Sequence, residues 1–109
     1  MAHSVFVLES AKDDYREIKK YVIRKFGVKV WQESNLKYKE MLKNIGEFPS
    51  AGLVPDEAIQ LGLQGIRERL VGQTRVIYEV VPERVYVYMF VSTRRDFITM
   101  LADRLLKAE

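Results

Sequence analysis

The chain has 109 residues, 48% hydrophobic and 30% charged, with a net charge of +3 and no cysteine. That length and composition lead us to expect one soluble domain, residues 1–109, with a modest hydrophobic core, in the cytoplasm. The absence of cysteine excludes disulfides, thiol catalysis and thiolate metal sites. No apolar run reaches the roughly 18 residues of a membrane span, and no charged n-region followed by an h-region opens the chain, so neither a span nor a secretion signal is expected.

In chain order, "SVFVLES" (Ser4–Ser10) is β-branched and apolar and predicts a first strand. Ser10 is placed to cap a helix, with Asp13 at its third position. Ala11, Tyr15, Ile18, Val22 and Phe26 then recur at helical spacing and predict a buried stripe. Gly27 offers a stop. A second helix follows through Trp31, Tyr38, Met41, Leu42 and Ile45, with Gly46 and Pro49 as its end. So short a connection predicts an antiparallel helical hairpin.

Pro49–Gly65 is Gly/Pro-rich and reads as a long connection within the domain. "IRERLV" (Ile66–Val71) alternates, with Ile66, Glu68 and Leu70 on one face and Arg67, Arg69 and Val71 on the other. A Gly72–Gln73 turn leads into "TRVIYEVV" (Thr74–Val81), and "PER" turns the chain into "VYVYMFV" (Val85–Val91). That last strand is apolar on both faces and should be central or covered on both sides. Asp96 is placed to cap a closing helix with Phe97, Leu101 and Leu105 inward. The order β-α-α-β-β-β-α predicts an α+β fold, a helical hairpin packed on a small, largely antiparallel sheet, with a C-terminal helix.

The candidate chemistry is narrow. Asp13–Asp14 and Asp56–Glu57 are the adjacent acid pairs, and His3 is the single histidine, near a terminus expected to fray, so no metal ligand set and no cofactor are expected. Asp13 and Asp14 suit the first turn of a helix, where acids favour its dipole. Gly62 and Gly65 have no following Lys-Ser/Thr and do not open a helix, so they form no phosphate cradle.

The cations are unevenly divided. Residues 1–48 hold ten Lys/Arg, eight of them lysine, against seven acids; residues 49–109 hold eight, seven of them arginine, against eight acids. Lysine suits a solvated helix face, whereas arginine suits bidentate pairing with carboxylate or phosphate. Arg67, Arg69, Arg75, Arg94 and Arg95 are the candidate contacts, because a sheet can bring such side chains onto a shared face. Three to five guanidiniums there would attract phosphates or acidic segments. The plain alternative is pairing inside the fold, Arg95 with Asp103 or Arg69 with Glu79, although the nearby acids are too few for all five. Tyr15, Trp31 and Tyr38 read as core. Tyr86, Tyr88 and Phe90 read as one face of the last strand, under a helix or, where exposed, part of a partner's groove.

Four stretches, "ESAKDDYREIKKYV", "FPSAG", "RVIYEV" and "RRDFITMLADRLL", resemble in order and spacing the RelE/ParE superfamily of toxins from bacterial type II toxin–antitoxin modules. The resemblance covers nearly the whole chain, and its last block looks most like the ParE branch. It implies a growth-inhibiting protein neutralised by a cognate antitoxin, whose flexible C-terminal segment folds on binding. Acidic residues of that segment would meet the arginines, and its apolar residues would cover a groove, with Tyr86, Tyr88 and Phe90 as candidate antitoxin contacts. ParE-type members poison DNA gyrase, whereas RelE-type members cleave messenger RNA on the ribosome with basic residues and usually a tyrosine near the C-terminus. Arg75 matches an arginine shared by both branches, and Arg94 falls where RelE-type enzymes often carry a basic residue. A ribonuclease reading would thus rest on Arg69, Arg75 and Arg94.

Here the chain departs from the ribonuclease pattern. It carries Phe97 and has no tyrosine beyond Tyr88. Attack by a 2′-hydroxyl needs a base and an acid; phenylalanine is neither, and arginine stabilises charge without shuttling protons. The expectation is therefore a gyrase poison acting through Arg67, Arg69, Arg75, Arg94 and Arg95. The alternatives are the ribosome-dependent ribonuclease and a toxin-fold binding module that has lost activity.

Overall fold

The computed structural model describes residues 2–93 and 97–106, apart from the side chains of Phe97, Leu105 and Leu106. Strand β1 (Ser4–Val7) is followed by helices α1 (Glu9–Phe26) and α2 (Val28–Glu47), a 3-10 turn (Pro49–Ala51) and the short helix α3 (Asp56–Gln60). Strands β2 (Ile66–Val71), β3 (Thr74–Val81) and β4 (Arg84–Ser92) and helix α4 (Phe97–Leu106) complete the order. The expected α+β architecture is the observed one. The connection read as irregular gains a 3-10 turn and α3.

Strand order is β1-β4-β3-β2, with β1 parallel to β4 and the other pairings antiparallel. β4 is thus internal, as its two apolar faces require. One face carries Val76, Tyr78, Val85, Val87 and Phe90 against Ala11, Trp31, Tyr38 and Ile45 of the helical hairpin. The other carries Ile66, Ile77, Met89 and Val91 against Ala58 of α3 and Leu101 of α4. Each fully buried aliphatic side chain contributes about 1.5–3 kcal/mol, so the sheet is held from both sides.

A single residue, Gly27, joins α1 to α2. Its φ of +97° is disfavoured for other residues, and its N–H donates to Val22 and Ile23. That tight reversal makes the hairpin antiparallel.

Three details depart from the sequence reading. β1 ends at Val7 because Leu8 donates the last rung to Val87 O and then turns, so α1 starts at Glu9 and Ser10 lies inside its first turn rather than capping it. Phe26 leaves the buried stripe and is 56% exposed, since the sheet does not extend beneath the hairpin tip. Gly46 does not end α2. It lies within that helix where α2 crosses β1, and a Cβ there would meet Val5 Cγ2 at 2.9 Å and His3 O at 3.0 Å. His3 is tied down by the same crossing, its N–H donating to Gly46 O at 2.8 Å.

Candidate functional site

Arg67 and Arg69 stand on the hairpin-facing side of β2, opposite Tyr78 and Val76 of β3. Each guanidinium is tethered by one nitrogen: Arg67 Nη1 donates to Gly52 O and Arg69 Nη1 to Asn44 Oδ1, both at 2.8 Å. Glu79, considered for Arg69 in the sequence, lies on the opposite face. Because β2 is an edge strand, both arginines stay half-buried, and Arg69 lines a groove of about 550 Å³ with Lys43, Asn44 and Glu47 of α2. Their charge acts on Tyr78. Burial raises its phenol pKa, the nearby Arg69 and Arg67 partly offset that, and its hydroxyl donates to Pro49 O at 2.9 Å. Gly52 is needed here, since a Cβ would overlap the Tyr78 hydroxyl.

Arg75 does not join them. It is paired with Leu70 across the ladder and so lies on the other face. Its Nε and Nη2 donate to Glu68 at 2.9 and 2.8 Å, and its Nη1 and Nη2 to Glu57, both at 3.0 Å. The expectation of one shared arginine face is therefore corrected for Arg75. The cause is the two-residue side-chain period, which puts Arg75 out of phase with Arg67 and Arg69. The carboxylates raise the guanidinium pKa further, and Arg75 in turn holds Glu57 below its ordinary value. Two carboxylates around one cation leave a local charge of about −1, unsuited to phosphate. Arg94 and Arg95 lie outside the described residues.

The aromatic face also divides. Between Ile77 and Tyr78 the β3–β4 register shifts, so Tyr88 is an extra residue, and Tyr88 and Met89 both belong to the α4 side. Tyr86 stays on that side, its ring 5.8 Å from Phe6 and its hydroxyl accepting from Arg84 at 3.2 Å. Phe90 is turned to the hairpin side, 5.2 Å from the Tyr15 ring and 6.0 Å from Tyr38. The reading of Tyr86, Tyr88 and Phe90 as one face is thus corrected by the bulge, which reverses the alternation after Tyr88. Phe90 instead floors a groove of about 670 Å³ beside α1, with Val22, Tyr38 and Met100.

An ion pair that the sequence reading missed closes this end of the molecule. β1 ends before it can pair the last part of β4, leaving edge groups that need partners. Asp14 Oδ2 accepts from Phe90 N at 3.2 Å, and Arg104 Nη1 donates to Tyr88 O at 3.0 Å. Arg104 also donates twice to the Asp14 carboxylate, both at 3.0 Å, clasping α4 to α1. The signal available in the sequence was Asp14's position, three residues from Ala11 and four from Ile18, on the flank of the buried stripe. The helix dipole alone does not explain its placement there.

A family model of the ParE toxin of type II toxin–antitoxin systems, parDE, matches residues 5–97. The chain belongs to the ParE toxin family. The matched span runs from β1 to the start of α4 and includes the five candidate arginines. The fold is similar to that of a chain from the chromosomal ParDE toxin–antitoxin system of P. aeruginosa, with a TM-score of 0.69. The two are 13% identical, and the likeness covers 84% of this chain and 96% of that one. No curated protein matches the sequence.

Two phenols of this ParE-family chain are poorly tuned for proton transfer at neutral pH. Burial, with further help from the Glu79 carboxylate that accepts the phenol's hydrogen bond at 2.6 Å, pushes Tyr88 up to about 12. Burial likewise pushes Tyr15 up to about 12. A phenol that titrates so high is a weak base catalyst at neutral pH. Among the described residues no His, Asp or Glu cluster has the makings of a metal site, and no helix is long and apolar enough to cross a membrane.

Proposed function

We propose that this chain is the toxin of a type II toxin–antitoxin module that inhibits growth by binding and poisoning DNA gyrase in the cytoplasm. A cognate antitoxin, its C-terminal segment folding on binding, neutralises it. Membership of the ParE family supports this reading, and one observation weighs against RNA cleavage: the Tyr88 phenol, hydrogen-bonded to Glu79 and pushed up to about 12, is a weak proton carrier at neutral pH. Arg75, the arginine that a ribonuclease reading shares with the gyrase reading, is enclosed by Glu57 and Glu68 and serves as a strut. The target contacts then narrow to Arg67 and Arg69, with Arg94 and Arg95 following β4 in the sequence. Tyr86 and Tyr88 remain candidates for the antitoxin, together with the groove floored by Phe90.

The test is induction without antitoxin, scoring chromosomal DNA breaks and messenger RNA cleavage in the same culture. Gyrase-linked breaks that disappear in Arg67→Ala/Arg69→Ala and Arg94→Ala/Arg95→Ala variants, with folding intact, are the expected outcome. Codon-positioned RNA cleavage would replace this reading with the ribosome-dependent ribonuclease, and unimpaired growth with an inactive binding module.

A further inference from the structure

The tip of the helical hairpin is not used by any target contact proposed above, although Lys20, Tyr21 and Arg24 border the groove floored by Phe90. Residues 18–32 contain Lys19, Lys20, Arg24, Lys25 and Lys29 and no Asp or Glu. Earlier in α1 the exposed face is charge-compensated, with Glu9–Lys12, Asp13–Arg16 and Glu17–Lys20 paired three residues apart. Past Lys20 the compensation stops. Among the described residues no ion pair reaches Lys19, Arg24, Lys25 or Lys29.

The helix dipole explains only part of this. Arg24 and Lys25 occupy the last turn of α1, where cations are favoured. Lys29 occupies the first turn of α2, where they are disfavoured, and no acid there offsets it.

Exposed rings organise the charges. Tyr21 and Phe26, 46% and 56% exposed, meet edge to face with centroids 6.5 Å apart. Lys25 Nζ lies 5.5 Å from the Tyr21 ring centre and 5.6 Å from that of Phe26, and donates to the Tyr21 hydroxyl at 3.0 Å. Arg24 Cζ lies 6.0 Å from the Tyr21 ring centre. The rings thus steady cations on a protruding turn. A lipid surface would need these ring faces free to enter the bilayer, and they already carry charge. An anionic polymer needs the charges themselves. Four of the five tip cations are lysine, a compact point charge suited to successive phosphates rather than to planar carboxylates.

We infer that the α1–α2 tip is a contact surface for the phosphate backbone of duplex DNA. Lysines gripping phosphates carry no sequence information, so binding is expected to be independent of sequence and strongly salt-dependent. A toxin acting on a DNA-bound enzyme would gain a second anchor from it.

The purified full chain is titrated into a fluorescein-labelled duplex of about 20 base pairs, reading anisotropy from roughly 50 to 200 mM salt. The Arg24→Gln/Lys25→Gln/Lys29→Gln variant should weaken low-salt binding at least about tenfold. It should also flatten the slope of log K against log salt by roughly 2–3, since each phosphate contact contributes about 0.9. Lys29→Gln alone should flatten it by about 0.9, which keeps the test usable if the triple variant misfolds by circular dichroism. A Lys12→Gln/Lys39→Gln control should change neither quantity. The inference is overturned if the wild-type chain does not bind the duplex, or if the tip variants bind it unchanged. Tip-dependent sedimentation with phosphatidylglycerol vesicles without duplex binding would reassign the tip to lipid. Because growth inhibition is not the readout, failure here leaves the gyrase reading standing, and failure of that reading leaves this one standing.

Discussion

Two carboxylates grip the Arg75 guanidinium, and this makes folding pH-dependent at a single residue. The hydrogen bonds from Arg75 hold the Glu57 carboxyl below its ordinary range. Near pH 4 the unfolded chain therefore binds more protons at this position than the folded one. The stabilisation is complete above the unfolded pKa of about 4.3 and is lost as pH falls through the lower folded value. Urea unfolding followed from neutral to acid pH should show that loss. Arg75→Gln should cost about 2–3 kcal/mol at neutral pH, by leaving two half-buried carboxylates facing each other, and should flatten the acid limb. An unchanged acid limb in the variant would remove Glu57 as its source. The arginines at 67, 69 and 75 were legible as residue types, but their partners were not. Glu57 reaches Arg75 only because α3 folds back over β2 and β3, and Glu68 only through the register of β2 on β3.

At the scale of elements, a buried cluster and an ion-pair clasp help to hold α4. Leu101 is fully buried in the cluster, and Arg104 spans to Asp14 and Tyr88 O. Asp14→Asn and Arg104→Gln should each loosen α4 more than the sheet. Hydrogen exchange should rise across Phe97–Leu106 while the β3 amides stay protected. A double-mutant cycle should give a coupling of about 1–3 kcal/mol; a coupling near zero would mean the clasp contributes nothing. The amphipathic periods of α1 and α2, the one-residue link at Gly27 and the central position of β4 were all readable in the sequence, because each follows from local spacing or from one strand's composition. The bulge at Tyr88 was not, since it depends on how β3 and β4 align, and it moved Phe90 to the other face.

The molecule as a whole is a sheet sandwiched between two clusters that share strands β3 and β4 but lie on opposite faces. Ile45→Ala on the hairpin side and Leu101→Ala on the α4 side should each cost about 2–5 kcal/mol. Their free energies should add within about 0.5 kcal/mol, since the two side chains share no partner. Equilibrium denaturation of both singles and the double checks this, and a large departure from additivity would mean the sheet transmits strain between its faces.

The type and order of the main strands and helices and the apolar stripes of α1 and α2 came from the sequence alone, because helical and strand periods are local properties of neighbouring residues. Its resemblance to the RelE/ParE superfamily also pointed to the family that the matching model then established. The partners of the charges came only from the tertiary structure. Whether an arginine is presented to a target or consumed by carboxylates depends on strand phase, on register shifts and on which distant segment folds over it. The sequence put Arg67, Arg69 and Arg75 on one list; the fold left the first two beside the hairpin and turned the third into a strut.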